Sequence, residues 1–439
     1  MPSEEQKRGA VKPLALEAYV YIWLPGEIKP VVAGKLEVDG PKTTFIYGQS
    51  YLGNKNAISI SEFELPLRRG KIDPIAGLPI AGAIRDAAPD SWGRRVILNR
   101  TLGQSALGET EDPFNELTYL LESGSDRIGA LDFQANGSEY LPRTHKAATL
   151  EELLSAAERI DNGFLLTPEL DEALKHGTSI GGARPKALID TADKKYIAKF
   201  SSSSDSYSVV KTEFIAMRLA HESGINVAQV KMAKALGKDV VLVERFDRIW
   251  SPTGYQRRSL ISSLSLLGLN DMVAHYASYK DITDIIRRSF RKPTQTLEEL
   301  FKRLVFNVLI SNNDDHARNH AALWDGKMLE LSPAYDLCPQ KRTGREANQA
   351  MYISGQDKRS RLETIFAGAK DFLLPRARAI EIAEELMTKI VSGFNSTADE
   401  SEATEVDVAQ MKFSQFFNAY AFEDLAPDAS PLLLLKKTL

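Results

Sequence analysis

The pattern of apolar and polar positions divides the chain into strand-rich and helix-rich stretches. Residues 17–65 predict strands: Tyr19-Val20-Tyr21-Ile22-Trp23 is β-branched and aromatic, Asp39-Gly40 supplies a turn, and Thr43 to Tyr47 resumes the pattern. Residues 82–101 and 113–122 predict helices, and Ile128 to Phe133 a short strand. A helix over Thr149 to Ile160 leads out of this first segment, whose edge falls near residue 145. From 178 to 247 strand, loop, helix and strand follow one another. Strands are expected near Ala187–Asp190 and Tyr196–Phe200, then the serine-rich loop Ser201–Ser204. A helix over Val209–Glu222 follows, closed by Gly224, then strands at Val227–Ala233 and Val240–Glu244. Beyond 260 the pattern is mainly helical. Leu297, Leu300, Phe301, Leu304, Val305, Val308 and Leu309 form one apolar face, with Thr296 and Glu299 expected as its capping box. The polar stretch Asn395–Asp407 is expected to be flexible. The reading is α+β, in segments 1–145, 146–247 and 248–439.

Composition narrows the classes. With 43% hydrophobic and 26% charged residues among 439, the chain is of ordinary globular type. A net charge of -4 gives no global attraction to nucleic acid or anionic membrane. The basic cluster Arg287 to Lys292 reads as a solvated face. The lone cysteine, Cys338, excludes an intramolecular disulfide and a cysteine-rich zinc site. No N-terminal apolar stretch suits a signal peptide and no run approaches a membrane span, so the expected location is the cytoplasm, with no membrane partner.

The candidate chemistry begins with the polar loop Asn312-Asn313-Asp314-Asp315-His316-Ala317-Arg318-Asn319-His320, which follows the most apolar helix. Protein kinases use Asp-x-x-x-x-Asn in such a loop: the Asp orients the attacking hydroxyl and accepts its proton, and the Asn binds Mg²⁺. Asp314 and Asn319 have that spacing, and Arg318 is a candidate for offsetting phosphate charge. Residues 321–324, a turn at Asp325-Gly326 and residues 328–331 predict a hairpin. Asp336 stands at its exit, where kinases hold a second Mg²⁺ ligand. Upstream, Lys199 closes an apolar strand, and Glu213 lies on the small apolar face of the next helix. A strand lysine paired with a helix glutamate is the kinase device for gripping phosphates. Earlier still, Gly181-Gly182-Ala183 allows backbone N–H groups to approach phosphate oxygens, although the spacing is not a Walker A motif. Each signal alone is weak. Their order is that of a protein kinase.

The sequence resembles the HipA family at Ser179 to Lys186, Val243 to Arg248, Asn313 to Asn319, Leu331 to Asp336, Pro89 to Gly93 and Arg127 to Leu131. That resemblance implies an ATP- and Mg²⁺-dependent serine/threonine kinase toxin with a two-lobed protein-kinase-like fold, an extra N-terminal α+β subdomain and a mainly helical C-terminal lobe. It implies Asp314 as catalytic base, Asn319 and Asp336 on Mg²⁺, Lys199 on the phosphates, and Glu244, Arg245 and Phe246 as the hinge at the adenine. His316, in the matching loop near the cofactor, is expected to order that loop. The resemblance also implies autophosphorylation at Ser179, which ejects the glycine-rich loop and silences the kinase. The implied partners are a small helix-turn-helix antitoxin of the HipB type, operator DNA reached mainly through it, and a protein substrate among the aminoacyl-tRNA synthetases, glutamyl-tRNA synthetase being the model. Phosphorylation there arrests translation and favours dormancy. Arg184 stands where many relatives have glutamine, and Pro185 stiffens the loop.

Three other readings compete. A small-molecule phosphotransferase shares the lobes and catalytic loop. A catalytically weak, antitoxin-bound corepressor needs no turnover. Metal-dependent hydrolysis at Asp314, Asp315, His316 and His320 uses ligands that suit Zn²⁺ or Mn²⁺.

Overall fold

The computed structural model describes residues 14–102, 113–143, 148–167, 169–170, 184–202, 205–342, 344 and 346–439. The glycine-rich stretch with Ser179, Gly181, Gly182 and Ala183 lies outside the described residues. The chain forms two compact units. The first holds residues up to 205 with 233–261 and 323–327, and the second holds 206–232, 262–322 and 328–439. Helix Val209–Glu222, expected with the middle segment, belongs to the second unit.

In the first unit, strands β1 (Glu17–Ile22), β2 (Val31–Asp39), β3 (Lys42–Tyr47), β4 (Lys71–Ile72) and β5 (Leu131–Gln134) form an antiparallel sheet in the order β4-β3-β2-β1-β5. The turn at Asp39-Gly40 joins β2 to β3 as expected, with Gly40 at φ 62. A second sheet, ordered β6-β7-β9-β8, comprises β6 (Lys186–Asp190), β7 (Lys195–Phe200), β8 (Val230–Ala235) and β9 (Lys238–Glu244). Helix Leu150–Asp161 covers one of its faces. Leu153, Leu154, Ala157 and Ile160 pack there with Ala187, Tyr196, Ala198, Phe200, Val240 and Leu242. Thr149 and Glu152 cap that helix reciprocally. Trp92 belongs to the same core, and its indole N–H donates to the Lys186 carbonyl (3.0 Å). The motif Pro89 to Gly93 thus anchors the second sheet.

A buried charge cluster ties two further motif stretches together. Asp247 Oδ2 accepts from Gly129 N–H (2.8 Å), Arg245 Nη2 (2.8 Å) and Arg248 Nη1 (3.0 Å). Asp126 Oδ1 accepts from Arg245 Nη1 (3.0 Å) and Arg248 Nη2 (2.8 Å). Both arginines also donate to the Arg127 carbonyl. Gly129 sits at φ 78, a left-handed conformation that glycine adopts without steric cost, and this aims its N–H at Asp247.

The second unit is mainly helical. Helices Val209–Glu222, Tyr279–Ser289, Pro293–Leu309, Leu362–Gly368, Arg376–Glu400 and Glu405–Ser414 account for most of it. Gly393 permits the close crossing of Arg376–Glu400 over Val209–Glu222. A Cβ there would fall 2.4 Å from Glu222 Oε2 and 3.1 Å from Leu219 Cδ2. Among the described residues, no helix is long and apolar enough to cross a membrane.

Several local expectations are corrected. The stretch Asn395–Asp407 is ordered: Phe394, Thr397 and Ala398 are buried on a continuing helix, and Thr404 and Asp407 form a capping box. Asn395, Ser396, Asp399 and Glu400 lie on the exposed side of that helix. The helix expected over 297–310 begins at Pro293, so Thr296 and Glu299 form no capping box. The Thr296 hydroxyl donates to the Lys292 carbonyl instead, and Glu299 pairs with Arg303. Residues 82–101 break into Gly82–Arg85 and Ser91–Leu102, as Pro89 requires of the residue before it.

The buried cluster makes a pH prediction. Burial alone would raise the Asp247 carboxyl, but Arg245, Arg248 and the Gly129 N–H hold it down at about 2, against 3.8 for an ordinary aspartate. Because the folded value is the lower one, this stabilisation is present above the unfolded value and fades as pH falls through the folded one. It is worth about 2 kcal/mol and is lost between about pH 5 and about pH 2. Urea unfolding across that range should show the loss, and Asp247→Asn should be less stable at neutral pH with a shallower acid slope. Equal slopes would remove Asp247 from the account.

Candidate active site

The helix Pro293–Leu309 buries its apolar face and, with it, Arg303 and Asn307. It ends at Ile310, and Ser311 turns the chain into the polar loop with φ 54. Asp314 is exposed on that loop. Its carbonyl accepts from His316 N–H (2.9 Å) and from Asn319 Nδ2 (3.0 Å), which closes the loop on itself. Partial burial raises the Asp314 carboxyl above its ordinary value. The negative charges of Asp336 and Asp315 add to the rise, and His316 opposes it. The site therefore concentrates negative charge around Asp314.

Asp315 is buried, and this organises the loop. Its Oδ1 accepts from His320 Nε2 (2.8 Å) and its Oδ2 from the Tyr279 hydroxyl. Burial would raise the Asp315 carboxyl, but His320 and the hydrogen bonds from His320 and Tyr279 outweigh it and lower it. The Tyr279 hydroxyl moves the other way: burial and the adjacent Asp315 charge raise it well above its ordinary value. The next segment is held just as firmly. Arg303 Nη2 donates to the carbonyls of Ser332 (2.8 Å) and Asn226 (3.1 Å). Ala334 exchanges backbone bonds with Asn226 and Ala228, and the Tyr335 hydroxyl donates to the Arg318 carbonyl (2.6 Å). The predicted hairpin forms from β-strands Ala321–Trp324 and Leu329–Leu331, and Asp336 follows it at φ 60. A non-glycine residue in that region is uncommon and marks a backbone held by its surroundings.

The second unit thus brings Asp314, His316, Asn319 and Asp336 into one framework, and it also contains Glu213. Glu213 is buried, as its small apolar helix face predicts. His316 is half-buried, and its Nδ1, like Asn313 Oδ1, has no hydrogen-bond partner among the described residues. Arg318, read as a phosphate partner, is paired with Asp271 instead (Nη2 at 2.7 and 2.8 Å, Nε at 2.9 Å).

The remaining residues belong to the first unit. Lys199 on β7 stands opposite Lys186 on β6 and Val241 on β9. It lies on the face of the strand opposite Tyr196, Ala198 and Phe200, with the buried Lys186 and Val241 as its neighbours there. Alternation along a strand leaves no other choice. Glu244 ends β9 and pairs with Lys194 (2.6 Å). Arg245 spends its guanidinium on Asp126 and Asp247 and its N–H on the Lys195 carbonyl (2.9 Å), and Phe246 is half-buried beside it. Sequence reading missed Tyr279, Asp271 and Arg303. Only Arg303, a charged residue on an otherwise apolar helix face, carried a signal.

The donor set fits a magnesium ion. Asn319 commits Nδ2 to the Asp314 carbonyl, which leaves its amide oxygen as the acceptor, and Asp336 adds a carboxylate. Mg²⁺ takes such oxygen ligands, using few from the protein and the rest from phosphates and water. Among the described residues, no group of three or more His, Cys, Asp or Glu is placed to hold a metal. The hydrolytic reading therefore lacks its ligand set: Asp315 and His320 are spent on each other.

Comparisons with known proteins bear on the family and the fold. Two family models match, the HipA N-terminal domain over residues 22–134 and the HipA-like C-terminal domain over residues 178–394. A protein of Sinorhizobium fredii named as a kinase is 26% identical over 315 residues, 67% of this chain and 71% of that one. The serine/threonine-protein kinase toxin HipA of Shewanella oneidensis is 28% identical over 252 residues, spanning 51% of this chain and only 56% of its own length. A solved structure of Shewanella oneidensis HipA with HipB and operator DNA superposes with TM-score 0.67 at 19% identity, covering 90% of this chain and 94% of that one. The overall α+β fold is therefore shared.

The frame around Ser332 is open to test. Arg303→Met should cost about 3 kcal/mol or more in urea unfolding, because it strands buried carbonyls and Glu299. Lys302→Met, on the solvent side of the same helix, should cost under about 1 kcal/mol. Equal effects would mean that Arg303 does not brace this segment.

Proposed function

Since the chain belongs to the HipA family, we propose that it is a serine/threonine protein kinase toxin that transfers the γ-phosphoryl group of ATP to a protein serine. The observation that carries this reading is the pairing of an exposed Asp314 with Asn319 and Asp336 on a buried, hydrogen-bonded frame. Asp314 accepts the proton of the attacking hydroxyl. The serine oxygen bonds to the γ-phosphorus as the bond to the β–γ bridging oxygen breaks, and ADP leaves. A carboxyl raised toward neutral pH is a better base than an ordinary one. Asn319 and Asp336 hold Mg²⁺, which supplies charge neutralisation to the β- and γ-phosphates when bound. Lys199 contacts the phosphates, and Gly181, Gly182 and Ala183 approach them through backbone N–H groups. Glu244 to Phe246 receive the adenine through their backbone. His316 orders the loop beside the cofactor.

In this reading Ser179 is the autophosphorylated residue, and a HipB-type antitoxin neutralises the toxin and links it to operator DNA. The HipB–DNA complex of the Shewanella protein supports that partnership. The protein substrate is an aminoacyl-tRNA synthetase, glutamyl-tRNA synthetase in the first instance. Its modification stalls translation and brings on dormancy in a cytoplasmic setting.

Intact-mass and peptide mass spectrometry with Mg²⁺-ATP test the proposal. A phosphate should appear on Ser179 in the wild type and not in Asp314→Asn. That variant should lose at least about a hundredfold in phosphotransfer while still binding ATP. Full activity in it would remove Asp314 from the base role. Asp336→Ala should weaken nucleotide binding only when Mg²⁺ is present, and unchanged affinity would exclude Asp336 as a ligand. Nucleotide turnover on a small alcohol without protein phosphorylation would move the assignment to a small-molecule phosphotransferase. Absence of nucleotide binding would leave a corepressor.

A further inference from the structure

The polar loop is gripped at several points by one short segment that the catalytic reading does not use. Asn270 caps a short 3₁₀ helix, Asp271–Tyr276, its Oδ1 accepting from Met272 N–H (2.9 Å) and Val273 N–H (3.2 Å). That helix buries none of its residues. Apolar packing therefore does not hold it in place. At its start Asp271 receives the Arg318 guanidinium in a bidentate pair. Just beyond its end, Tyr279 is fully buried and donates to Asp315, with its oxygen 3.3 Å from His320 Nε2 and its ring edge-on to His320. The Tyr279 N–H is fixed by the Tyr352 carbonyl (2.9 Å). The gripped loop residues are Asp315, Arg318 and His320. They interleave with Asp314 and Asn319, the residues assigned to chemistry, and gripping the first set fixes the backbone from which the second projects.

We propose that the segment 270–279 is a brace for the catalytic loop, with Asp271 and Tyr279 acting as positioning residues for Asp314 and Asn319. The inference rests on the kinase reading above and adds the elements that hold its geometry. A purely structural role predicts something different. The Asp271–Arg318 pair is exposed on both sides, and exposed ion pairs contribute little to stability. Breaking it should hardly move the melting temperature. A small displacement of a catalytic group, by contrast, costs rate steeply.

The experiment uses the full chain, with Mg²⁺-ATP and two acceptors: the protein itself and dephosphorylated casein. Asp271→Ala and Tyr279→Phe should each lower the turnover rate at saturating ATP by roughly tenfold. The half-saturating ATP concentration should stay within about twofold, the scale of effects outside the binding site. Hydrogen–deuterium exchange at residues 312–320 should accelerate in both variants. The swapped pair Asp271→Arg with Arg318→Asp should recover the rate that Asp271→Ala loses. Unchanged rate and exchange in an otherwise active protein would overturn the brace and leave the kinase reading standing. A rate loss accompanied by a large fall in melting temperature for Asp271→Ala would reduce the pair to a structural contact and overturn it too. A wild type that phosphorylates neither itself nor casein overturns the kinase reading, and the brace falls with it.

Discussion

A carboxylate taken out of water must have both oxygens paired, and Asp315 meets that requirement at the centre of the second unit. His320 occupies one oxygen and Tyr279 the other. Removing a partner from a buried ion is costly, because the charge remains and its compensation does not. The loop between Ser311 and His320 is consequently not free to choose among conformations. Asp315 and His320 pin two positions, the Asp314 carbonyl closes the turn through His316 and Asn319, and Asp336 is delivered by a segment that Arg303 and Asn226 hold from behind. Asp314 is the exposed member of a network that includes the buried Asp315, Asn319 and His320.

The first unit solves a related problem with the opposite balance of charge. Asp126 and Asp247 are each shared by Arg245 and Arg248, and the Arg127 carbonyl takes what the guanidiniums have left over. Planar guanidiniums suit such sharing, since their fork of donors reaches carboxylates and carbonyls at once. The consequence is that the stretch at the end of β9 is tied to the turn before β5 by bonds that no solvent competes for. Two motif stretches far apart in the chain meet at this junction. Trp92 has a similar standing, filling the core beneath β6 and bonding its backbone.

Much of this was legible from the chain. β-branched and aromatic residues marked β1, the turn at Asp39-Gly40 set off β3, the apolar face marked the helix before the polar loop, and the hairpin leading to Asp336 followed from its turn. Legibility failed where a residue's environment comes from elsewhere in the chain. The polar stretch from Asn395 reads as flexible in isolation, yet its helix carries buried Thr397 and Ala398, and Thr404 and Asp407 cap the next one.

Sequence by itself determined the fold class and the chemical inventory: which carboxylates, amides and lysine are present, and in what order. Those properties are local, carried by spacing and periodicity. Tertiary structure alone decided which of the two adjacent aspartates is exposed and which is buried, that Arg318 is bound to Asp271, and that Tyr279, 36 residues from Asp315, completes its hydrogen bonding. Adjacent residues of one type are indistinguishable until packing removes one of them from water, and only then does a buried charge require its partners.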